Sequence, residues 1–174
     1  MLVEMATVER SIALADIDPR VKHMRTNELR KVRELRSACL FCHGMGEVMG
    51  RGFGVAHSET DEYDAVATWI KDDTQSFAPI QLKELPPAEL NPAATVQEII
   101  ESLSKYTAAP DLTVAIHLAR AVSFTPSDLV FPPLGVAAIW VFGAITPDRS
   151  RWAIWGNFLD PEGWEAREFS YPTK

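Results

Sequence analysis

Cysteine, long apolar runs, internal repeats and low-complexity tracts are what this 174-residue chain has little or none of. Two cysteines cannot staple a disulfide-built miniprotein, and a chain of this size buries enough apolar surface to hold one domain without bridges or a structural metal. The longest apolar run, Leu134 to Ile145, is interrupted by Gly135 and Gly143. It falls short of the roughly 18–20 residues of a membrane span, so no membrane partner is expected. Glu4, Glu9, Asp16 and Asp18 stand where an export signal would be first cationic and then apolar, which points to the cytoplasm and to reduced thiols at Cys39 and Cys42. No Ser-His-Asp context, P-loop or dinucleotide fingerprint is present, and the GRGFG within Gly44–Gly54 has no strand before it. Proline is nearly missing from the first half. Eleven of the twelve lie beyond residue 78, so helices are expected to be few after that point.

What is there is ordinary in bulk and uneven in placement. Apolar residues make up 47% and charged ones 24%, with 17 basic against 24 acidic side chains and a net charge of −7. That balance argues against a protein that coats nucleic acid nonspecifically, and leaves an enzyme or a binding module. Residues 1–54 nevertheless carry nine basic and seven acidic side chains. The basic excess lies between Arg20 and Arg36, in a stretch that reads as an amphipathic helix capped at Thr26 or Asn27. Leu29, Val32, Leu35, Cys39 and Leu40 share one side of it, and the glycines from Gly44 are expected to end it. Its cations read either as phosphate contacts or as a solvated face.

Strands are expected at Phe53–Ser58, at Tyr63–Ile70 and, after the turn KDDTQS, over FAPIQLKEL to Leu85, the last two as a hairpin. Thr95 caps a helix with Val96, Ile99, Ile100, Leu103 and Tyr106 as its stripe. LTVAIHLA, from Leu112, reads as a buried strand, and Val136–Ile145 with Arg151–Leu159 as a hairpin turned by TPDRS. The order helix, three strands, helix, strand and hairpin predicts one α/β domain, a mixed central sheet flanked by helices. Residues 1–25 read as an N-terminal extension, 26–118 as the core and 119–174 as a C-terminal β-hairpin and tail. Trp140, Trp152, Trp155 and Trp164 are expected to build core or a dimer contact, and His117 to be a hydrogen-bonded core histidine.

Two constellations carry chemistry. Cys39-Leu40-Phe41-Cys42-His43-Gly44 has the Cys-x-x-Cys-His pattern that attaches c-type haem, and over these residues the chain resembles a cytochrome c. Against a haem protein stand the acidic start, the strand-rich remainder and the methionines. These end at Met49 and leave only His57 or His117 as a second axial ligand. A structural zinc site lacks its fourth ligand, and a dithiol at a helix C-terminus is a poor redox pair. The packing alternative puts Cys39 on the helix's apolar face and Cys42 with His43 at its frayed end.

The second constellation is Asp64 early in one strand and Gln81-Leu82-Lys83 in the next, preceded by an acid on a helix and followed by a helix and a strand. Along an extended strand Gln81 and Lys83 point one way, Leu82 and Glu84 the other. Asp64 on the same face of the neighbouring strand would then meet an oxygen donor and an ammonium at one spot. In this order and these residues, over 26–118, the chain resembles the PD-(D/E)xK nuclease superfamily, the restriction-endonuclease-like fold. The resemblance implies metal-dependent hydrolysis of DNA phosphodiesters. Asp64, Gln81, Lys83 and Glu28 would be the catalytic residues, and Mg²⁺ or Mn²⁺ would be held by Asp64, Gln81 and the Leu82 carbonyl. Glu28, four residues after Met24 and four before Val32, is the helix acid expected to face inward, with Glu34 nearly opposite. A first-turn acid complementing the helix dipole is the alternative for Glu28. The resemblance also allows a homodimer, since many nucleases of this kind pair to cut two strands.

Three positions depart from the family pattern. Tyr63 replaces the proline, Gln81 replaces an acid and so removes charge from the metal site, and Pro79 lies in a strand that should be central. An Asp64–Lys83 cross-strand ion pair is the structural alternative for these residues. A non-catalytic binding or oligomerisation module on the same fold is the functional one.

Overall fold

The computed structural model describes residues 1–58 and 62–172, with backbone alone at 13 and 14. Its strands form one seven-stranded sheet in which each lies beside its neighbours in the chain. They are β1 (Gly54–His57), β2 (Ala65–Lys71), β3 (Thr74–Leu85), β4 (Ala109–Leu118), β5 (Val136–Ala144), β6 (Arg151–Gly156) and β7 (Glu165–Ser170). The β3–β4 and β4–β5 pairs are parallel and the rest antiparallel. The helices are α1 (Leu2–Leu14), α2 (Pro19–Lys22), α3 (Asn27–Met49) and α4 (Val96–Glu101), the last continued by a 3-10 turn over Ser102–Lys105. The chain is therefore α/β with a mixed sheet. Among the described residues no helix is long and apolar enough to cross a membrane.

Strand alternation divides the core in two. On one face α3 lays Ala38, Leu40, Phe41 and Cys42 against Ala65, Ile80, Ala115, Phe142, Trp152 and Phe169. On the other, α4 lays Val96 and Ile100, with Leu103, against Leu85, Val114, Ile116, Leu118, Ile139 and Val141. The start of α4 is fixed by a reciprocal cap: Glu98 N–H donates to the Thr95 hydroxyl at 3.1 Å, and Thr95 N–H to the Glu98 carboxylate at 2.8 Å. The β2–β3 turn is tighter than KDDTQS suggests. Only Asp72 and Asp73 form it, at φ 50° and 58°, left-handed positions that short polar side chains tolerate. Pro79 pairs with Val66 one residue before β4 joins at Ile80↔Thr113, so β3 is still an edge on that side.

The basic helix departs from expectation at its C-terminal end. Gly44 and Gly46 lie within α3, which stops only at Gly50, left-handed at φ 63°. Gly44 is needed for packing, since a Cβ there would stand 2.7 Å from Cε1 of Phe169. The longer helix buries its middle, between Arg36 and Gly44, and leaves Val32 41% exposed. Nothing in the sequence reading anticipates α1 or β7. Leu2 and Ala6 of α1 pack on the α3 side of the core, and the Tyr171 hydroxyl donates to the Leu2 carbonyl at 2.8 Å. Of β7 only Phe169 is buried, so no alternating apolar pattern marks that strand.

Candidate active site

The pairing of β2 with β3 ends at Ala65↔Ile80. Immediately before it Asp64 is fixed between strands: its N–H donates to the Ile80 carbonyl at 2.9 Å, and its carbonyl accepts from Ser58 N–H at 3.1 Å. Its carboxylate turns onto β3, where Oδ2 accepts the Leu82 N–H at 2.7 Å and also a Gln81 amide N–H. Tyr106, just after the 3-10 turn, closes the other side. Its hydroxyl donates to Gln81 Oε1 at 3.0 Å, and its ring centroid lies 5.5 Å from Lys83 Nζ. Burial raises the pKa of Asp64; the Leu82 N–H opposes the rise, the Glu34 charge adds to it, and Lys83 and Arg30 oppose it. The structure thus brings together Asp64, Gln81, Leu82 and Lys83.

Glu28 does not join them. It is exposed in the first turn of α3, where an acid suits the helix N-terminus. The helix acid within electrostatic reach of Asp64 is Glu34. Its side chain is 14% exposed, pairs with Arg30 at 2.7 Å and lies 3.7 Å from His57 Nε2. Counting inward from Met24 and Val32 fails because Met24 precedes the helix with φ 52° and Val32 faces solvent. Counting back from the buried Ala38 and Phe41, at spacings of four and seven, selects Glu34 instead.

Three arginines of the basic stretch are committed to ion pairs with acids of other elements, two of them partly buried and Arg36 fully. Arg25 pairs with Glu84, whose other oxygen lies 3.4 Å from Arg33 Nε. Burial nonetheless holds the Glu84 carboxyl above its ordinary pKa. Arg36, 4% exposed, pairs with Glu9 of α1. On the same face His117 stacks on Phe142 at 4.9 Å, with the Ser37 hydroxyl 3.3 Å from Nδ1. Burial first, and the Arg36 charge second, push its pKa down to about 3. It is the hydrogen-bonded core histidine expected.

Cys39, Cys42 and His43 lie within α3, not at a frayed end. Cys42, 3% exposed, is the core member, its thiol pushed up to about 12 by burial, while Cys39 is half-buried. His43 donates to the Ser170 carbonyl at 3.1 Å and meets the Phe169 ring edge-on. Such a thiol packs as a small hydrophobe and is not presented to a haem.

Among the described residues no three His, Cys, Asp or Glu side chains are grouped so as to hold a metal ion. The oxygen groups at hand are the Asp64 carboxylate, the Gln81 amide oxygen, which faces Tyr106, and the Leu82 carbonyl, 3.3 Å from the Gln81 amide nitrogen, with Glu34 in electrostatic reach of Asp64. All are hard oxygens. They fit a Mg²⁺ or Mn²⁺ ion, which keeps several waters and takes only one or two carboxylates from the protein. The Gln81 amide turns its nitrogen to Asp64, so its oxygen joins that set only when the amide turns over.

Besides Glu34, the sequence reading missed Tyr106 and Lys105, whose Nζ lies 5.1 Å from the Tyr106 ring centroid. A phenol closing an apolar stripe needs a partner for its hydroxyl, and that was the available signal for Tyr106. Nothing in the pattern singles out Lys105. Comparison with family models, curated proteins and solved structures finds no match to this chain. Fold and site together define an α/β domain with a partly buried polar cluster where β2 meets β3.

Proposed function

We propose that this chain is a nuclease of the PD-(D/E)xK, restriction-endonuclease-like type that hydrolyses DNA phosphodiesters with Mg²⁺ or Mn²⁺. The order of elements supports it: α3, the antiparallel β1–β2–β3, α4, and then β4 parallel to β3. The observation that carries the reading is the 2.7 Å bond from Leu82 N–H to Asp64, which joins the aspartate of one strand to the Gln81-x-Lys83 of the next. Asp64, Gln81 and the Leu82 carbonyl would hold the ion, which supplies Lewis-acid polarisation of the phosphodiester. Lys83 orients the attacking water and offsets charge developing on the phosphoryl oxygens. Glu34 takes the helix-acid role first given to Glu28, accepting a hydrogen bond from water on the α3 side. Tyr106 steadies both Gln81 and Lys83.

One observation favours a second reading, a non-catalytic binding or oligomerisation module on the same fold. The Gln81 amide satisfies Asp64 with its N–H and Tyr106 with its oxygen, so these groups are paired without a cation. A single experiment separates the two. Supercoiled, single-stranded and branched DNA are incubated with wild type and with Lys83→Ala in Mg²⁺ or Mn²⁺. A nuclease cuts at least one substrate, stops with chelator and slows by about 100-fold on losing Lys83. A wild type that cuts none of the three supports the module, and equal cutting by both proteins places the activity elsewhere.

A further inference from the structure

Two cations meet on one aromatic ring beside the candidate site. Lys83 Nζ and Lys105 Nζ lie 5.5 and 5.1 Å from the centroid of Tyr106, within reach of the ring's negative faces. Three cations of the basic stretch are committed differently: Arg25 and Arg33 to Glu84, and Arg36 to Glu9. Neither lysine has an acidic partner among the ion pairs of the described residues. Lys105 is exposed, so its ammonium is open to a ligand.

The ring itself is held firmly. The Tyr106 N–H donates to the Leu103 carbonyl at 2.8 Å, its carbonyl accepts from Gly135 N–H at 2.9 Å, and its hydroxyl is bound to Gln81. The segment after it packs so closely on Gly135 that a Cβ there would stand 2.2 Å from the Thr107 carbonyl oxygen. A firmly held ring with an ammonium from Lys83 and one from Lys105 on it, its hydroxyl bound to Gln81, is placed to receive anionic oxygens entering that site.

We propose that Lys83 and Lys105, gathered on Tyr106, form a seat for phosphate oxygens of one nucleic-acid strand, and that Lys105 contributes binding while taking no part in bond cleavage. This rests on the nuclease reading and extends it to the strand's path, from the α4 side of the sheet over Tyr106 toward Asp64. Tyr106 is a positioning residue whose ring, more than its hydroxyl, makes the seat. Phosphate contacts of this kind are independent of base sequence and release counterions, so they are read through salt dependence.

The test measures binding of a fluorescent single-stranded oligonucleotide in chelator, where nothing is cut, by anisotropy across a salt series. Wild type is compared with Lys105→Ala, Tyr106→Phe and Tyr106→Leu, and with Lys71→Ala at the far hairpin turn as the control for loss of one charge. Thermal melts verify folding, and the exposed Lys105 keeps the test valid even if Tyr106→Leu unfolds. Lys105→Ala is expected to weaken binding several-fold for any base sequence and to lower the slope of log K against log salt by about 0.7, the loss of one contact to a single strand. Tyr106→Phe should retain the wild-type slope, Tyr106→Leu lose at least as much as Lys105→Ala, and Lys71→Ala leave it unchanged. A slope equal to wild type in Lys105→Ala, or equal losses in Lys105→Ala and Lys71→Ala, overturns the seat while leaving the nuclease reading in place. Failure of wild type both to bind and to cut removes the nuclease reading and the seat together.

Discussion

Adjacent residues of β3 end up in opposite circumstances. Glu84 faces α3 and is clamped by Arg25 and Arg33, while Lys83, one residue earlier, faces Tyr106 and is in none of the ion pairs of the described residues. On the α3 side Arg36 is neutralised by Glu9 of α1, and Glu84 by Arg33 of α3 and by Arg25 from the segment leading into it. The α4 side is apolar in its interior, and Asp64, Gln81 and Lys83 gather where β2 meets β3. The contrast teaches that a basic stretch in the sequence need not be a binding surface. Here Arg25, Arg33 and Arg36 serve the fold, and the lysines beside the Asp64 cluster, Lys83 and Lys105, come from elsewhere in the chain.

If the α4-side cluster is functional and not structural, Asp64→Asn should cost cleavage at least about 100-fold without lowering stability. Burial and the Glu34 charge already disfavour the Asp64 carboxylate, so the neutral amide should unfold at the same or a higher denaturant concentration at neutral pH. A large loss of stability would place Asp64 with the structural charges. On the α3 side the order reverses. Arg36→Ala leaves Glu9 without its partner and should cost about 3 kcal/mol in denaturant unfolding. Replacing both, with Glu9→Leu and Arg36→Met, should recover most of that, because the apolar pair needs no compensation. No recovery in the double variant would mean that the ion pair itself orders α1 against α3.

The pH dependence tests the same side more gently. His117 is neutral in the fold, with a pKa near 3 against the ordinary 6.5. The unfolded chain therefore takes up a proton first. The stability tied to His117 is intact above pH 6.5 and is lost as pH falls from there toward 3, by up to about 1.4 kcal/mol per unit. Asp64 and Glu84, whose pKa values are raised, act in the opposite sense. The difference between wild type and His117→Gln isolates the histidine, and the variant should show the shallower acid limb. The smallest effect belongs to the α4 side: Thr95→Ala, which removes half of the reciprocal cap, should cost about 1 kcal/mol.

Local signals were legible where chemistry acts over a few residues. The Thr95 cap, the buried strand of LTVAIHLA, and the shared face of Gln81 and Lys83 all follow from local residue pattern. Long-range consequences were not. Gly44 reads as a helix end until Phe169, more than a hundred residues later, is known to lie against it. Met24 and Val32 misreport the helix phase because burial is weak at that end of α3, and the buried face that includes Glu34 shows only further along. The arginines looked available because their partners, Glu9 and Glu84, lie on other elements. Periodicity reports which residues share a face. It does not report what that face meets.

The most direct test of the account is a calorimetric titration of Mn²⁺ into the full chain with an uncleavable phosphorothioate oligonucleotide present, repeated on Asp64→Ala. The account predicts saturable uptake by wild type that vanishes in Asp64→Ala while the variant keeps its melting temperature. No uptake by wild type, or the same uptake by the variant, would contradict it and leave the Asp64–Gln81–Tyr106 cluster as hydrogen-bonded structure alone.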